Sequence, residues 1–271
     1  MLEGGWSGRK SRFRCEHLRE NVVLRLFLLF ALTIALLGGA HFGASAQTDP
    51  PARLLLTPAT PMPRDGTYSV GDMLSFAIDH RNGRVRLRFA DSDEVFYLSS
   101  EAAPMSGRIL KYDTGATALQ VAGWGGVTLY TAEAQSGLPA EYAELVQTVD
   151  PSSVEGKDVK LFASHLAQEL SFREDFAVGF AADWDDLAQT EIVRSLGCDS
   201  MRNASYALQQ VAKTAKHAAV VDRVHIVRVM QGDKPAAVYK QGVLTITYVP
   251  KAGPAARPSS LAITKVLMAA L

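Results

Sequence analysis

Apolar and polar residues alternate over residues 74–98, the pattern of half-buried β-strands. The dipeptide Asn82-Gly83 lies within this segment and is a strong signal for a two-residue hairpin turn. A turn there places the large apolar side chains on one face and sets Asp79 opposite Arg86 on the other. The pairs that this register predicts on that face are Phe76 with Phe89, Ile78 with Leu87 and His80 with Val85.

The same alternation continues to residue 131. A tight Ser92-Asp93 turn would bring Phe96 opposite Phe89 and place Tyr97 beside Arg88. Later turns are predicted at Thr114-Gly115, which pairs Leu110 with Leu119 and Tyr112 with Thr117, and at Gly123-Trp124-Gly125, a bulged loop carrying one aromatic side chain. Residues 72–131 are therefore predicted to form an antiparallel β-meander of about six short strands.

The hydrophobic period then changes to that of a helix. Apolar residues recur at helical spacing over residues 156–220, with breaks expected near Gly179 and Gly197. Residues 223–271 return to strands, predicted as a β-hairpin, and end in a helix capped by Ser259 or Ser260. The predicted fold class is α+β: an N-terminal antiparallel meander, a helical middle section, and a C-terminal hairpin with a helix.

The N-terminal region has the pattern of a secretory leader rather than of a folded domain. Arg25 precedes an apolar run at Leu26–Leu37, and Ala44-Ser45-Ala46 forms an A-x-A site with cleavage before Gln47. The protein is then expected in the periplasm or outside the cell, with membrane contact only through the leader before its cleavage. The alternative is an uncleaved inner-membrane anchor, although this run is shorter than the roughly 20 residues that a membrane span needs.

Three segments follow from this interpretation: a leader at 1–46, a proline-rich linker at 47–66 and one globular domain at 67–271. The polar stretch 1–21 has no regular pattern. A start at one of the residues 22–24 would leave an ordinary leader, whereas a genuine 1–21 segment would be a basic cytoplasmic tail.

Composition narrows the class of partner. Residues 47–271 carry 22 basic and 25 acidic side chains, which argues against nucleic acid. Cys198 is the one cysteine after the leader, so no intrachain disulfide is available there, and it is expected to be a small buried residue.

Arginines occupy every second position of one predicted strand. Arg84, Arg86 and Arg88, with Tyr97 beside them, are candidates for binding an anionic polymer, phospholipid headgroups or an acidic envelope protein. The alternative is an ordinary solvated sheet face with local pairs, which the position of Asp79 favours. Trp124 in its glycine loop is a further binding candidate.

Catalytic and metal-binding signals are weak. The carboxylates of "DFAVGFAADWDD" lack the glycine and terminal glutamate of a calcium loop, and Asp185 is expected to cap a helix with Asp186 in its first turn. His165 and Glu169 share a helix face without further ligands, so neither a metal nor a cofactor is predicted. A hydrolase assembled from Ser164, His165 and Asp183 remains the alternative to a binding protein.

The order of elements resembles a family of secreted alphaproteobacterial proteins that carry a domain of unknown function. The matching pieces are "FAIDHRNGRVRLRFADSDEVFYLSS", "RILKYDTGATALQVAGWGGVTLYT" and "GVLTITYVPKAGPAARPSSLAI", of which "WGG-V-T" and "RPSS" are the most specific. This resemblance implies an exported protein and no known activity or ligand. The favoured hypothesis is a non-catalytic envelope binding or structural module, and the alternative is a small periplasmic hydrolase.

Overall fold

The computed structural model describes residues 61–270, apart from 73, 146–148, 151–153, 156–157, 175–176 and 215–222. These residues belong to one unit, which spans Leu56–Leu271. The predicted leader, its cleavage site and most of the linker lie outside the described residues.

Six antiparallel strands lie within residues 72–131, as predicted, but the N-terminal part as a whole is a closed antiparallel barrel of eight strands in chain order. The first strand begins at the end of the predicted linker, and the last strand lies beyond the predicted meander; both were missed. Their pairing with each other closes the barrel. The strands are β1 Gly66–Val70, β2 Leu74–Arg81, β3 Arg84–Phe89, β4 Phe96–Ala103, β5 Gly107–Lys111, β6 Thr117–Val121, β7 Val127–Leu129 and β8 Leu138–Glu144.

Inward-facing side chains fill this barrel, as expected for eight strands. Tyr68 and Phe76 stack with their ring centroids 5.4 Å apart, and Phe96 meets Tyr112 edge-on at 5.1 Å. The other fully buried members are aliphatic: Ile78, Leu87, Leu110, Ala118, Leu119, Val121 and Leu129. The barrel therefore has its own apolar core.

The register predicted from Asn82-Gly83 is confirmed, with Asp79 opposite Arg86. The next register was wrong by two residues. Leu87 pairs with Phe96, and Tyr97 lies opposite Arg86 rather than beside Arg88, because the β3–β4 connection is longer than a tight turn. A shift of two keeps every side chain on its predicted face. Leu110 does pair with Leu119, but a bulge then sets Lys111, not Tyr112, opposite Thr117.

Successive connections of an up-and-down barrel lie at alternate ends. The turns at 82–83, 104–106 and 122–126 therefore share one end, which we call the Trp124 rim. The loops at 90–95 and 112–116 lie at the other end, which we call the docked end because Leu261 from the C-terminal helix packs there against the barrel core.

The C-terminal part combines helices with a four-stranded sheet. The elements are α1 Val159–Glu174, β9 Gly179–Ala182, α2 Trp184–Gln189, α3 Glu191–Ala212, β10 Ile226–Gln231, β11 Ala236–Lys240, β12 Val243–Tyr248, a 3-10 turn Pro250–Ala252, and α4 Ser260–Ala270.

The order of strands in this sheet is β11-β12-β10-β9. The middle section predicted as helical contains the strand β9, and Gly197 lies inside α3 instead of breaking it. The two strands predicted as a hairpin, β10 and β12, are parallel, because β11 lies between them in the chain and forms the hairpin with β12.

Helix α3 is the centre of the C-terminal part and contacts α1, α2, α4, β10 and β12. Cys198 lies on the buried face of this helix and is only 3% exposed, so the prediction of a small buried residue is confirmed. Burial raises the pKa of this thiol to about 11, so it is protonated at neutral pH. Within the described ranges, no helix is long and apolar enough to span a membrane.

Candidate functional site

The three arginines of β3 have three different environments. Arg84 is exposed, Arg88 is half-buried and 3.7 Å from an Asp93 oxygen, and Arg86 is only 3% exposed. The predicted local pair of Arg86 with Asp79 is confirmed, but the prediction of a solvated face is wrong at Arg86 because this side chain is buried. The row therefore consists of one exposed arginine and two that are covered on the barrel wall.

Arg86 is the centre of a buried ion-pair cluster. Its Nε donates to Asp79 Oδ1 at 2.6 Å, its Nη2 donates to Asp79 Oδ2, and its Nη1 donates to Asp150. Burial opposes the charge, but the hydrogen bonds to both carboxylates outweigh it and raise the pKa of Arg86 above its ordinary value. Arg81 binds Asp150 as well, at 2.7 Å. The cluster fastens the chain after β8 onto strands β2 and β3.

Tyr97 lies at the docked end and does not form an open patch with the arginines. The guanidinium of Arg257 lies 5.8 Å from the centroid of its ring, and burial raises the pKa of its hydroxyl. Arg257 also donates to Asp199 at 3.1 Å and to the carbonyl of Val95 at 3.3 Å. The tyrosine is therefore part of the contact between the barrel and the C-terminal part.

The "RPSS" element holds helix α4 against the docked end. Ser259 donates from its amide and its hydroxyl to Asp113, at 2.8 and 2.6 Å. Ser260 does the same to Glu94, at 2.7 Å from its amide. Ser259 Oγ also accepts from the amide of Ala262 at 3.1 Å, which confirms the predicted serine cap. Two carboxylates of the barrel thus bind the positive end of the α4 dipole.

Glu94 is the most perturbed acid of this contact. Burial raises its pKa to about 7, and the hydrogen bonds from Ser260 and the charge of Arg257 only partly offset that effect. A cleft beside it is lined by Tyr97, Tyr112, Asp113 and Arg257 and has a volume of about 20 Å³. That is room for one water molecule and far below the size of a small-molecule site. Glu94 therefore has a raised pKa, but its contacts serve to hold α4 against the barrel.

The Trp124 rim carries exposed apolar side chains. Met105 is 92% exposed and Trp124 is 86% exposed, on two adjacent turns. A Cβ on Gly123 would lie 2.4 Å from the carbonyl oxygen of Met105, so glycine there allows the two turns to touch. A Cβ on Gly126 would lie 1.9 Å from the indole, so the ring rests on that glycine. The predicted exposed aromatic of this loop is confirmed.

The backbone of the Met105 turn is strained. Met105 and Ser106 both have positive φ, 55° and 59°, and Gly107 N donates to Pro104 O at 3.1 Å. Two successive residues with positive φ are typical of a type I′ turn, which favours Asn-Gly and disfavours ordinary side chains. The β2–β3 turn of the same barrel does use Asn-Gly. The choice of Met-Ser therefore costs stability, and such outliers are a reason to look for function.

Two residues of the alternative hydrolase, Ser164 and Asp183, make contacts within helices. Ser164 Oγ donates to the carbonyl of Lys160 on its own helix, and His165 is exposed. Asp183, not Asp185, caps α2 by accepting from the amide of Asp186 at 3.1 Å. Asp175 lies outside the described residues. Among the described residues, no group of three or more His, Cys, Asp or Glu side chains could hold a metal ion.

The sequence model of one protein family, described as "Domain of unknown function (DUF4908)", matches residues 54–267. The chain belongs to this family. No curated protein and no solved structure matches the chain.

The family match covers both ends of the barrel, so the Trp124 rim and the docked end lie within the DUF4908 region. Sequence reasoning found Trp124 but missed Met105, Glu94 and Asp113. "APMSG" between two strands was the available signal for an exposed turn, since an apolar residue there has no inward face. Nothing local indicated that Glu94 binds Ser260, 166 residues away.

Proposed function

We propose that this DUF4908 protein is an exported, non-catalytic binding module of the cell envelope, and that the Trp124 rim is its binding surface. Export is supported by the leader pattern at 26–46. The binding role rests on one observation: two of the most exposed large apolar side chains lie together on touching turns at one barrel end.

The buried charged groups support this assignment by their contacts. Arg86 is bound by two carboxylates, Glu94 and Asp113 hold the start of α4, and Asp199 binds Arg257. Each of these clusters includes a contact between residues that lie far apart in the chain. Polar groups used in this way stabilise the scaffold, whereas Met105 and Trp124 are exposed on the rim.

Photo-crosslinking in the native host tests the proposal. A benzoylphenylalanine side chain replaces Trp124 in one strain and Phe172, which is 92% exposed on α1, in a matched control strain. We expect defined adducts, with protein or lipid, from position 124 and not from position 172. An absence of adducts at 124, or the same adducts from both positions, would contradict the proposal. Mass spectrometry of the recovered protein should place its N-terminus at Gln47.

A further inference from the structure

We propose that the Trp124 rim docks on the surface of a lipid bilayer, with the side chains of Met105 and Trp124 inserted among the headgroups and upper acyl chains. This inference rests on the proposed function, because it names the partner of the same surface.

The two turns are built without charge. The segments 102–107, "AAPMSG", and 122–126, "AGWGG", contain no ionisable side chain. The main cost of placing a protein segment in a membrane is the desolvation of charged groups, and the insertion of these two turns desolvates none. The indole of tryptophan suits the interface because one end is apolar and its N–H is polar.

The shape of the rim favours a fluid partner over a protein pocket. Met105 and Trp124 protrude from two different turns, each almost fully exposed, and the turns touch through Gly123. A protein would need two matching concavities at this spacing, whereas a bilayer accommodates both side chains without preformed pockets. Interfacial insertion reaches only about 5–10 Å, which suits the tips of two turns.

Cations lie directly behind the uncharged tips. Arg108 follows Gly107 on β5, with its Nη1 on Ser100 Oγ at 2.6 Å, and the exposed Arg84 follows the third turn of the same rim. We expect these two guanidinium groups to meet lipid phosphates while the apolar tips lie deeper. An acidic side chain, Glu101 on β4, lies at the same level of the hairpin and is paired with Lys111.

The sequence of the Met105 turn is not the one that would stabilise its backbone best. Asn at 105 and Gly at 106 would fit the positive φ of both positions, as they do in the β2–β3 turn. The natural Met-Ser pair lacks that stability and places an almost fully exposed methionine in the turn. A stabilising replacement is thus available that removes the apolar tip without harming the fold.

The test uses the protein recovered from the native host and vesicles of phosphatidylethanolamine with phosphatidylglycerol. Binding is measured by flotation, and the depth of the indole by quenching with lipids brominated on the acyl chain. The emission lost in Trp124→Ser identifies the signal of this ring. We expect the native protein to bind, its Trp124 emission to be quenched, and Trp124→Ser to weaken binding by about tenfold or more.

Two further variants keep the result independent of misfolding. Met105→Asn with Ser106→Gly should raise the melting temperature and still weaken vesicle binding severalfold. Phe172→Ser, which removes an equally exposed apolar side chain from α1, should leave binding unchanged.

The inference is overturned if the native protein does not float with the vesicles, if Trp124 emission is not quenched, or if Phe172→Ser loses as much binding as the rim variants. Absent vesicle binding together with protein adducts from position 124 would remove the bilayer as the partner and leave the proposed binding surface intact.

Discussion

Replacing Glu94 with glutamine should abolish a loss of stability that we expect in the native protein as the pH rises from about 4.5 to about 7. Glutamine has nearly the same shape, and its carbonyl oxygen can accept from the amide of Ser260 as the carboxylate does. The substitution therefore removes the charge while keeping the contact between the barrel and α4.

The magnitude follows from the buried position of the carboxyl group. Burial raises the pKa of Glu94 from 4.5 to about 7, so the folded protein holds this proton more tightly than the unfolded chain. The free energy of unfolding must then fall as the pH rises through this window and level off above it. The pKa difference corresponds to about 3 kcal/mol.

Urea unfolding followed by circular dichroism at several pH values from 4 to 8 measures this effect. We expect equal stabilities near pH 4.5 and a more stable Glu94→Gln variant at pH 8, by up to about 3 kcal/mol. Glu101→Gln is the matched control, because Glu101 pairs with Lys111 on the exposed surface. If Glu94→Gln is the less stable protein at pH 8, the positive end of α4 and Arg257 outweigh burial and the reasoning is wrong.

Three other substitutions or reactions test the contacts of the scaffold. Arg86→Leu removes the ion-pair partner of the buried Asp79 carboxylate and should lower the free energy of unfolding by about 3–5 kcal/mol. The control, Arg84→Leu, should change the free energy of unfolding by less than about 0.5 kcal/mol. Equal effects of the two substitutions in urea titrations would refute the buried ion pair. Ser259→Ala removes a helix cap and a carboxylate donor and should cost about 1–3 kcal/mol in the same titration, and an unchanged stability would contradict the contact. Cys198 should resist alkylation at pH 8 until the protein unfolds, and rapid labelling detected by mass spectrometry would show that the thiol is accessible.

The turn residues and the alternation of apolar and polar positions were sufficient to predict part of the barrel. Asn82-Gly83 fixes the register of its hairpin, because a two-residue turn admits one pairing and a one-residue slip would expose the apolar face. The serine cap of α4 was also predictable, because capping depends on residues that are close together in the chain. Trp124 was recognisable because glycines on both sides leave it at a tip.

Closure of the barrel and the contacts of its docked end depend on residues far apart in the chain. Strand β8 is mostly exposed, so its alternation is weak, and its pairing with β7 and β1 reveals it. Asp79 was found opposite Arg86 from the hairpin register, but Asp150 reaches Arg86 from 64 residues away. The parallel pairing of β10 with β12 likewise has no local signature.

The most direct test of the central claim is co-sedimentation of the purified protein with membrane fragments from the native host, which offer every envelope partner at once. The account predicts that the native protein and Phe172→Ser sediment with the fragments and that the Trp124→Ser, Met105→Asn double variant stays in the supernatant. Sedimentation of the double variant at the native level would show that the Trp124 rim is not the binding surface.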